Sequence, residues 1–314
     1  MIASIVVTVV HLAFAVAITP VLIGVMRTVR ARLEGRVGGG VGQPWRDVIK
    51  LFAKQPLRAP GSSPVLTWAP LLLMASSLVL CALIPLVSTL SLPGAPGELF
   101  VVVSVLLLGT VALAMLGLES GTAFGGMGSS RHMMFTALVE PTVLLSIYAL
   151  SVPAGTSALA AIVRARRDDL STLLNPVSIL AIVALIVVVV AETGRLPVDN
   201  PSTHLELTMV HEAMILESGG RDLGWLEFGS WLRLTALLGL TVNLAVPWGV
   251  AADASPPALL IATVATALKL VVAAGLMATV EVFIAKLRLF RVPELLAGSF
   301  VLAFLSVSAS YLVF

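Results

Sequence analysis

Long runs of apolar residues recur along the 314-residue chain and are separated by shorter polar segments. A run of about 20 apolar residues lets a helix cross the hydrocarbon core of a bilayer. The chain is 58% hydrophobic and 11% charged, whereas soluble domains carry about 25% charged residues. The pattern predicts an all-α polytopic membrane protein with about eight transmembrane helices, plus amphipathic or interfacial helices in the cytoplasmic loops. The predicted spans are roughly 3–26, 66–90, 99–118, 133–153, 175–193, 231–250, 257–280 and 295–313.

The distribution of basic residues between the predicted loops indicates the orientation, because cytoplasmic loops carry an excess of Lys and Arg. One set of alternate loops holds fifteen basic residues, Arg131 and Arg233 among them, and the other set holds three. No basic residue precedes the first run, so we expect a retained helix and not a cleaved signal peptide. We predict one multi-pass domain, 1–314, in the cell (plasma or inner) membrane, with both termini outside. The predicted cytoplasmic loops are about 27–65, 119–132, 194–230 and 281–294.

The first of these loops contains the segment VGQPWRDVIKLFAKQP, residues 41–56. Its apolar residues Val48, Leu51 and Phe52 follow helical spacing, which predicts an amphipathic helix. Such a helix either lies in the membrane interface or is an ordinary helix of a cytoplasmic loop. The charged residues between the apolar positions are Arg46, Asp47, Lys50 and Lys54.

Several classes of function are excluded or disfavoured by what the sequence contains. The single cysteine, Cys81, forms no intrachain disulfide and does not ligate an iron–sulfur cluster alone. No nucleotide-binding glycine motif is present, and no basic tract interleaved with aromatic residues suggests nucleic acid. If the protein serves redox chemistry, its redox centres are expected in partner subunits.

Ionisable residues inside the predicted spans are the first candidates for function. A charged side chain at the centre of a membrane helix costs about 2.5–3.5 kcal/mol on insertion scales, so it usually faces a protein interior or water. Glu140 is predicted about two turns into the fourth span, Glu192 at the inner end of the fifth and Lys269 in the middle of the seventh. We favour a functional role for these three residues. Glu119 and Glu281 are interpreted as helix-end residues near the headgroups.

The polar stretch ETGRLPVDNPSTHLELTMVHEAMILE, 192–217, follows the fifth span directly. Its prolines end the preceding helix, and Ser202 or Thr203 is predicted to cap a new helix with Glu206 in the first turn. On such a helix His204 and His211 share one face, and Glu206 and Glu217 share another. The histidines would lie about 10–11 Å apart along the axis, which is too far to share one zinc ion. The HEAMI segment also lacks the second histidine of H-E-x-x-H.

Several motifs together resemble the complex I subunit 1 family. AETGRLPVDNPSTHLEL is similar to its A-E-T-x-R-x-P-x-D-x-P…E-L signature. GQPWRDVIKLFAKQ resembles its Q-P-x-x-D-x-x-K-L-x-x-K-E loop, with Gln55 in place of Glu. LVEPTVLLS places Glu140 at the family's fourth-helix glutamate, with Val139 where a tyrosine is usual, and KLRLFRVPELL occupies the basic loop before the last helix.

Within that family, DNPSTHLELTMVHEAMILE more closely resembles the membrane subunit of group 4 [NiFe] hydrogenases, as in formate hydrogenlyase subunit 4 and hydrogenase-4 component C. The resemblance implies a non-catalytic subunit of an oxidoreductase complex. It implies a cytoplasmic hydrogenase large subunit and iron–sulfur small subunits, which hold the [NiFe] centre and the clusters, and antiporter-like membrane subunits. The loop cavity binds quinone in the quinone branch and need not do so in the hydrogenase branch.

The resemblance also assigns residue roles. It implies a proton path through Glu140, Glu192, Glu206 and Glu217, to which we add Lys269 from its depth in the membrane. We predict a subunit that couples electron transfer to proton or sodium movement. The alternatives are the equivalent membrane subunit of a quinone-reducing complex I (NADH–quinone oxidoreductase), a stand-alone secondary transporter and a passive membrane anchor. The implied interface residues are Arg195, Asp199, His204, His211, Glu212, Arg46, Asp47 and Lys50.

Overall fold

The computed structural model of the chain describes residues 2–58, 63–90, 98–199, 209–285, 287 and 291–313. Within this part of the chain there is no β-strand, and only two isolated bridges are formed. A short 3-10 helix spans Leu170–Thr172. The α-helices are α1 Ile2–Leu33, α2 Gln43–Phe52, α3 Val65–Leu83, α4 Leu99–Glu119, α5 Ala123–Ser151, α6 Leu159–Asp168, α7 Pro176–Glu192, α8 His211–Ile215, α9 Gly220–Ala245, α10 Pro256–Phe283 and α11 Val292–Val313.

The helices form a membrane bundle, as the sequence predicts. Among the described residues, six helices are long and apolar enough to cross a membrane, namely α1, α3, α4, α5, α10 and α11. The other two predicted spans correspond to α7, an apolar helix of 17 residues, and to α9, which contains Arg233 and Asn243. The prediction of an all-α polytopic membrane protein is therefore confirmed. We call the end of the bundle that carries α2 and α8 the inner end, and the end that carries α6 the outer end.

Two of the bundle helices begin much earlier than predicted. α5 begins at Ala123 and not near residue 133, and α9 begins at Gly220 and not near residue 231. Arg131 and Arg233 therefore lie within helices and not in the segments between them. Arg233 is only 7% exposed. The inner parts of both helices carry polar residues, which obscure the apolar run from which a span is recognised.

α9 is the central helix of the bundle and packs against α1, α2, α3, α7 and α10. Every residue from Trp231 to Thr241 is buried. A helix that is buried on all sides has no polar face on which to expose a charge. Arg233 must therefore find its hydrogen-bond acceptors inside the protein.

At the outer end, the chain leaves the helical conformation within a predicted span. α3 ends at Leu83, whereas the span was predicted to reach residue 90. Pro85 explains the correction, because proline disfavours the helical conformation of the residue before it, and Ile84 is extended. The Asn243 amide donates to the carbonyls of Pro85 and Leu86 at 2.8 and 2.9 Å. These bonds satisfy irregular backbone that would be costly in lipid.

The amphipathic helix predicted in the first loop is confirmed as α2. Its buried residues include Val48, and the ring of Phe52 packs edge-on against Trp225 of α9 with centroids 4.7 Å apart. The chain approaches α9 so closely that a Cβ on Gly220 would lie 2.2 Å from the Gln55 carbonyl oxygen. α2 is thus fixed to the inner end of the bundle through protein contacts.

Candidate functional site

The candidate site is centred on a buried ion pair between α7 and α9. The Arg233 guanidinium donates to Glu192 Oε1, and their side chains are 8% and 3% exposed. Thr110 of α4 places its hydroxyl oxygen 3.3 Å from the same carboxylate oxygen. Arg233 also donates to the Leu106 carbonyl at 2.9 Å and to Thr110. Three helices therefore hold one carboxylate and one guanidinium within the bundle.

A glycine on α4 makes room for the guanidinium. A Cβ on Gly109 would lie 2.9 Å from Arg233 Nη1 and 2.7 Å from Ser76 Oγ. Contacts below 3.0 Å force a shift, so a larger residue at this position would displace the arginine or the serine. Gly109 thus leaves space for Arg233, and the neighbouring Thr110 provides a hydroxyl group for Glu192.

Glu140 of α5 belongs to the same electrostatic cluster. The charges of Glu192 and Arg233 both interact with the Glu140 carboxyl group. Its Oε1 is buried and has no hydrogen-bond partner among the residues that the structure describes. Because α5 begins at Ala123, Glu140 lies nearly five turns from the start of the helix. A buried carboxyl oxygen without a partner is expected to bind water or accept a proton.

Two small cavities border the buried ion pair. One, of about 20 Å³, has His132, Glu192, Asp199 and His211 among its lining residues. The other, of about 40 Å³, is lined by His132, Glu192, His211 and Arg233 among others. Each is large enough for at least about one water molecule. His132 Nε2 is buried without a partner in the described part of the chain, so it is a polar group that such a water could satisfy.

A third cavity, of about 130 Å³, lies towards the inner end. It shares His211 with both smaller cavities. The two smaller cavities are lined by Glu192, whereas the third cavity is lined by a group of charged side chains at the inner end. Polar cavities therefore lie both beside the ion pair and at the inner end, and His211 lines all of them. The charged residues that line the third cavity are Arg30, Arg195, Asp199, Glu212 and Glu227.

The segment after α7 is fixed by two carboxylates. Asp199 Oδ2 accepts from the backbone N–H groups of Val210 and His211 at 3.2 and 3.1 Å. Glu281 accepts from Arg195 at 3.5 Å and from Arg30. Burial lowers the pKa of Arg195, and Glu281 opposes this shift. Glu281 is 3% exposed, so it is buried in the protein two residues before the end of α10. The sequence placed it at a helix end but did not show the two arginines that approach it.

The structure also corrects the predicted helix over 202–217. Met209 and Val210 are not helical, and α8 comprises only His211–Ile215. Glu217 follows the end of α8 and is exposed. The two faces predicted for one helix over 202–217 therefore do not form, because the chain is not helical at Met209 and Val210. His204 and Glu206, with the predicted cap, lie outside the described residues.

Of the predicted path residues, Glu140 and Glu192 are brought together, and Lys269 is not. Its ammonium donates to Asn243 Oδ1 at 2.5 Å and to the carbonyls of Val246 and Trp248 at 3.0 and 2.9 Å. These acceptors lie at the outer end of α9, where a cation is favoured by the helix dipole. Asn243 is about 15 Å from Arg233 along the helix axis.

We predict that Lys269→Met lowers the free energy of unfolding by about 1–3 kcal/mol, because acceptors at the end of α9 lose their donor. The number of ions moved per electron should be unchanged. Thermal unfolding and ion transport of the purified complex test this, with Leu268→Met on the exposed side of α10 as the control. Normal stability together with lost ion movement would instead support a place for Lys269 in the path.

The predicted interface residues on α2 form a separate group at the inner end. Asp47 accepts from Arg27 of α1 at 3.1 Å. Arg46 and Lys50 are exposed on the side of α2 that faces away from the bundle. They are not part of the buried site, and they present positive charge at the same end as its inner cavity.

Four site residues were missed from the sequence, namely Thr110, His132, Glu227 and Arg233. Arg233 could have been recognised from the sequence, because it is the third residue of the predicted span 231–250, in the apolar segment WLRLTALLGL. Glu227 and Ser230 precede it on α9 at spacings that place all three on one side of the helix. Thr110 and His132 carried no comparable signal, because a single polar residue in an apolar helix has many structural uses.

In the described part of the chain, no group of three His, Cys, Asp or Glu side chains is arranged to hold a metal ion. The site is therefore defined by its ion pair, its unpartnered carboxyl oxygen and its polar cavities. The groups present are suited to accept, hold or release protons.

The fold and the site define a multi-pass membrane protein with a buried charge cluster that is bordered by polar cavities. A family model described as NADH dehydrogenase matches residues 4–311, and the chain belongs to that family. It is 32% identical to hydrogenase-4 component C of Escherichia coli K12 over 80% of the chain and 78% of that protein. It is 30% identical to formate hydrogenlyase subunit 4 of the same organism over 92% of the chain and 93% of that protein.

More distant relatives belong to other respiratory complexes. NADH-quinone oxidoreductase subunit 8 of Rhodothermus marinus is 29% identical over 55% of the chain and 52% of that protein. A solved structure of the membrane-bound sulfane sulfur reductase, an archaeal respiratory membrane complex, has the same fold, with a TM-score of 0.84. That match covers 98% of this chain and 99% of the other at 18% identity. The protein is thus a membrane subunit of a respiratory-type complex, and the predicted family is confirmed.

Proposed function

We propose that this chain couples electron transfer to ion movement in a group 4 [NiFe] hydrogenase of the formate hydrogenlyase type. The observation that carries the proposal is the buried Glu192–Arg233 pair, with Glu140 within its electrostatic range and with polar cavities both beside the pair and at the inner end. The two relatives at 30% identity or more, both matched over most of the chain, support the hydrogenase branch. The chain itself is proposed to be non-catalytic.

The proposed mechanism uses His211, which lines both the cavities beside the ion pair and the cavity at the inner end. Electron transfer in a docked peripheral arm displaces the segment that contains Arg195 and Asp199, and with it His211. A change at His211 alters the hydration of the cavities that border Glu192. Because charges interact strongly where water is scarce, this shifts protons between Glu192, Glu140 and the water around them. Protons or sodium ions then move through neighbouring membrane subunits.

The remaining predicted residues have defined places in this proposal. Glu212 lines the inner cavity and is proposed to conduct protons towards it. Glu206 and Glu217 are retained as path residues, and His204 as an interface residue, on the resemblance alone. Arg46, Asp47 and Lys50 are proposed to face the peripheral arm.

The proposed partners follow from the assembly. A hydrogenase large subunit and iron–sulfur small subunits would dock at the inner end and hold the [NiFe] centre and the clusters. Antiporter-like membrane subunits would lie beside the bundle. We assign no cofactor to this chain.

A second candidate is the membrane subunit of a quinone-reducing complex. It is favoured by the identity to NADH-quinone oxidoreductase subunit 8 of Rhodothermus marinus, although the match covers only 52% of that protein. In this case the polar cavity at the inner end would accept a quinone headgroup. Bound quinone, or inhibition by quinone-site inhibitors, would support it.

Purification of the tagged chain from its native membrane in mild detergent tests these proposals. We expect a nickel-containing large subunit and a small iron–sulfur subunit among the proteins identified by mass spectrometry. Flavin- and NADH-binding subunits without nickel would favour the quinone-reducing complex. A chain that purifies alone, while other membrane complexes stay intact, and that transports ions in liposomes would overturn both proposals in favour of a stand-alone transporter.

A further inference from the structure

We infer that Glu281 is a positioning residue that holds the Arg195 turn, and through it Asp199 and α8, against the cavities at Glu192. This inference rests on the proposed coupling function. Its structural part is independent of that function, because it predicts the local stability of a named backbone segment. Glu281 itself lines none of the three cavities described above.

Glu281 joins three separate parts of the chain. It lies at the inner end of α10, and its two carboxylate oxygens accept from Arg30 of α1 and Arg195 of the segment after α7. The Glu281 side chain is 1% exposed, and those of the arginines are 25% and 21% exposed. A buried carboxylate between two partly exposed arginines fixes their positions, because removing it leaves cations at a site with little water.

A continuous series of hydrogen bonds leads from Arg195 to α8. The Arg195 carbonyl accepts from the N–H groups of Val198 and Asp199 at 2.9 and 3.1 Å, which closes a tight turn. The Asp199 carboxylate then accepts from the N–H groups of Val210 and His211. His211 is the first residue of α8 and lines all three cavities. The carboxylate of Glu281 is therefore linked, through one turn and one side chain, to His211, which lines all three cavities.

Glu281 also connects α10 to the Arg195 turn. α10 packs mainly against α1, and a full side of it is exposed. Its inner end reaches the segment after α7 through Glu281 and through the Leu287 N–H, which donates to the Pro197 carbonyl at 3.1 Å. A movement of α10 against the bundle would therefore act on the Arg195 turn. The exposed positions on α10 include Leu260, Ile261, Val264, Leu268 and Leu276.

Hydrogen exchange of the intact purified complex tests the inference. In Glu281→Gln, the amides of Val210 and His211 should exchange at least about tenfold faster, because the acceptor at Asp199 is no longer held in place. Arg30→Gln should have a smaller effect, since Arg195 keeps its carboxylate. Asp222→Asn is the matched control, because it breaks another ion pair at the inner end, with Arg58, that does not involve the Arg195 turn.

Arg195→Gln provides a second route to the same result if Glu281→Gln does not yield a complex. It removes the guanidinium that contacts Glu281 and leaves the backbone of the turn unchanged. The same local increase in exchange is expected. Unchanged exchange at Val210 and His211, or an equal increase in Asp222→Asn, would overturn the positioning role.

The number of ions moved per electron, measured on the same variants, separates this inference from the proposed function. Faster local exchange together with fewer ions per electron supports both. Faster local exchange with normal coupling keeps the positioning role and contradicts the coupling function. Normal exchange with lost coupling does the reverse, since it overturns the positioning role and leaves the coupling function in place.

Discussion

A Glu192→Gln variant is expected to assemble with its partner subunits but to move roughly a hundredfold fewer ions per electron, or none above background. Glutamine keeps the shape of the side chain and an oxygen that accepts from Arg233 and Thr110. It carries neither the negative charge nor an exchangeable carboxyl proton. Glu140 remains within electrostatic range of Arg233, so the guanidinium keeps a carboxylate nearby and the bundle should still fold.

The measurement compares ion uptake by vesicles that contain the complex with the rate of electron transfer in the same preparation. Glu119→Gln is a matched control, because Glu119 is also a carboxylate at the inner end of a membrane helix but lines none of the described cavities. Normal coupling in Glu192→Gln would contradict the proposed role of the ion pair.

An Arg233→Leu variant should lose about 3–5 kcal/mol of stability, because removing one partner of a buried ion pair leaves the other charge without compensation. Two carboxylates, Glu192 and Glu140, would then face each other without a cation. A large part of this loss should be recovered in the double variant Glu192→Leu/Arg233→Leu, since an apolar pair is tolerated where a single charge is not.

Thermal unfolding of the four forms, wild type, both single variants and the double variant, gives the interaction energy of the pair. Arg221→Leu is the control, because Arg221 is an exposed arginine on the same helix and its loss should change stability by less than about 0.5 kcal/mol. Additive effects of the two single variants would show that Glu192 and Arg233 do not act as a pair.

The predictions that succeeded depend on local properties of the chain. Among the described residues, each of the eight long helices corresponds to a predicted apolar run, because the bilayer requires each crossing segment to be apolar and to satisfy its own backbone hydrogen bonds. α2 was predicted from the spacing of Val48, Leu51 and Phe52. Glu192 was singled out because a carboxylate at the end of an apolar helix needs a partner or water.

The predictions that failed needed information about neighbours. The helix predicted over 202–217 followed local capping rules, but Met209 and Val210 are not helical and their segment is held instead by Asp199. The place of Lys269 in the path stays a prediction made from its depth alone, and its acceptors in the structure lie at the end of α9. Depth in the membrane indicates that a charge needs a partner, but it does not identify the partner.

The sequence alone therefore determined the class of the protein, the approximate positions of the long helices in the described part of the chain, and Glu192 as a carboxylate that needs a partner or water. Only the tertiary structure decided which charges meet. Glu192 and Arg233 are 41 positions apart, and Arg30 and Glu281 are 251 apart. Each pair forms because helix packing brings the two residues to the same depth on facing sides. That match depends on the rotation and offset of whole helices, which hydrophobicity constrains only weakly when most of each helix is apolar on every side.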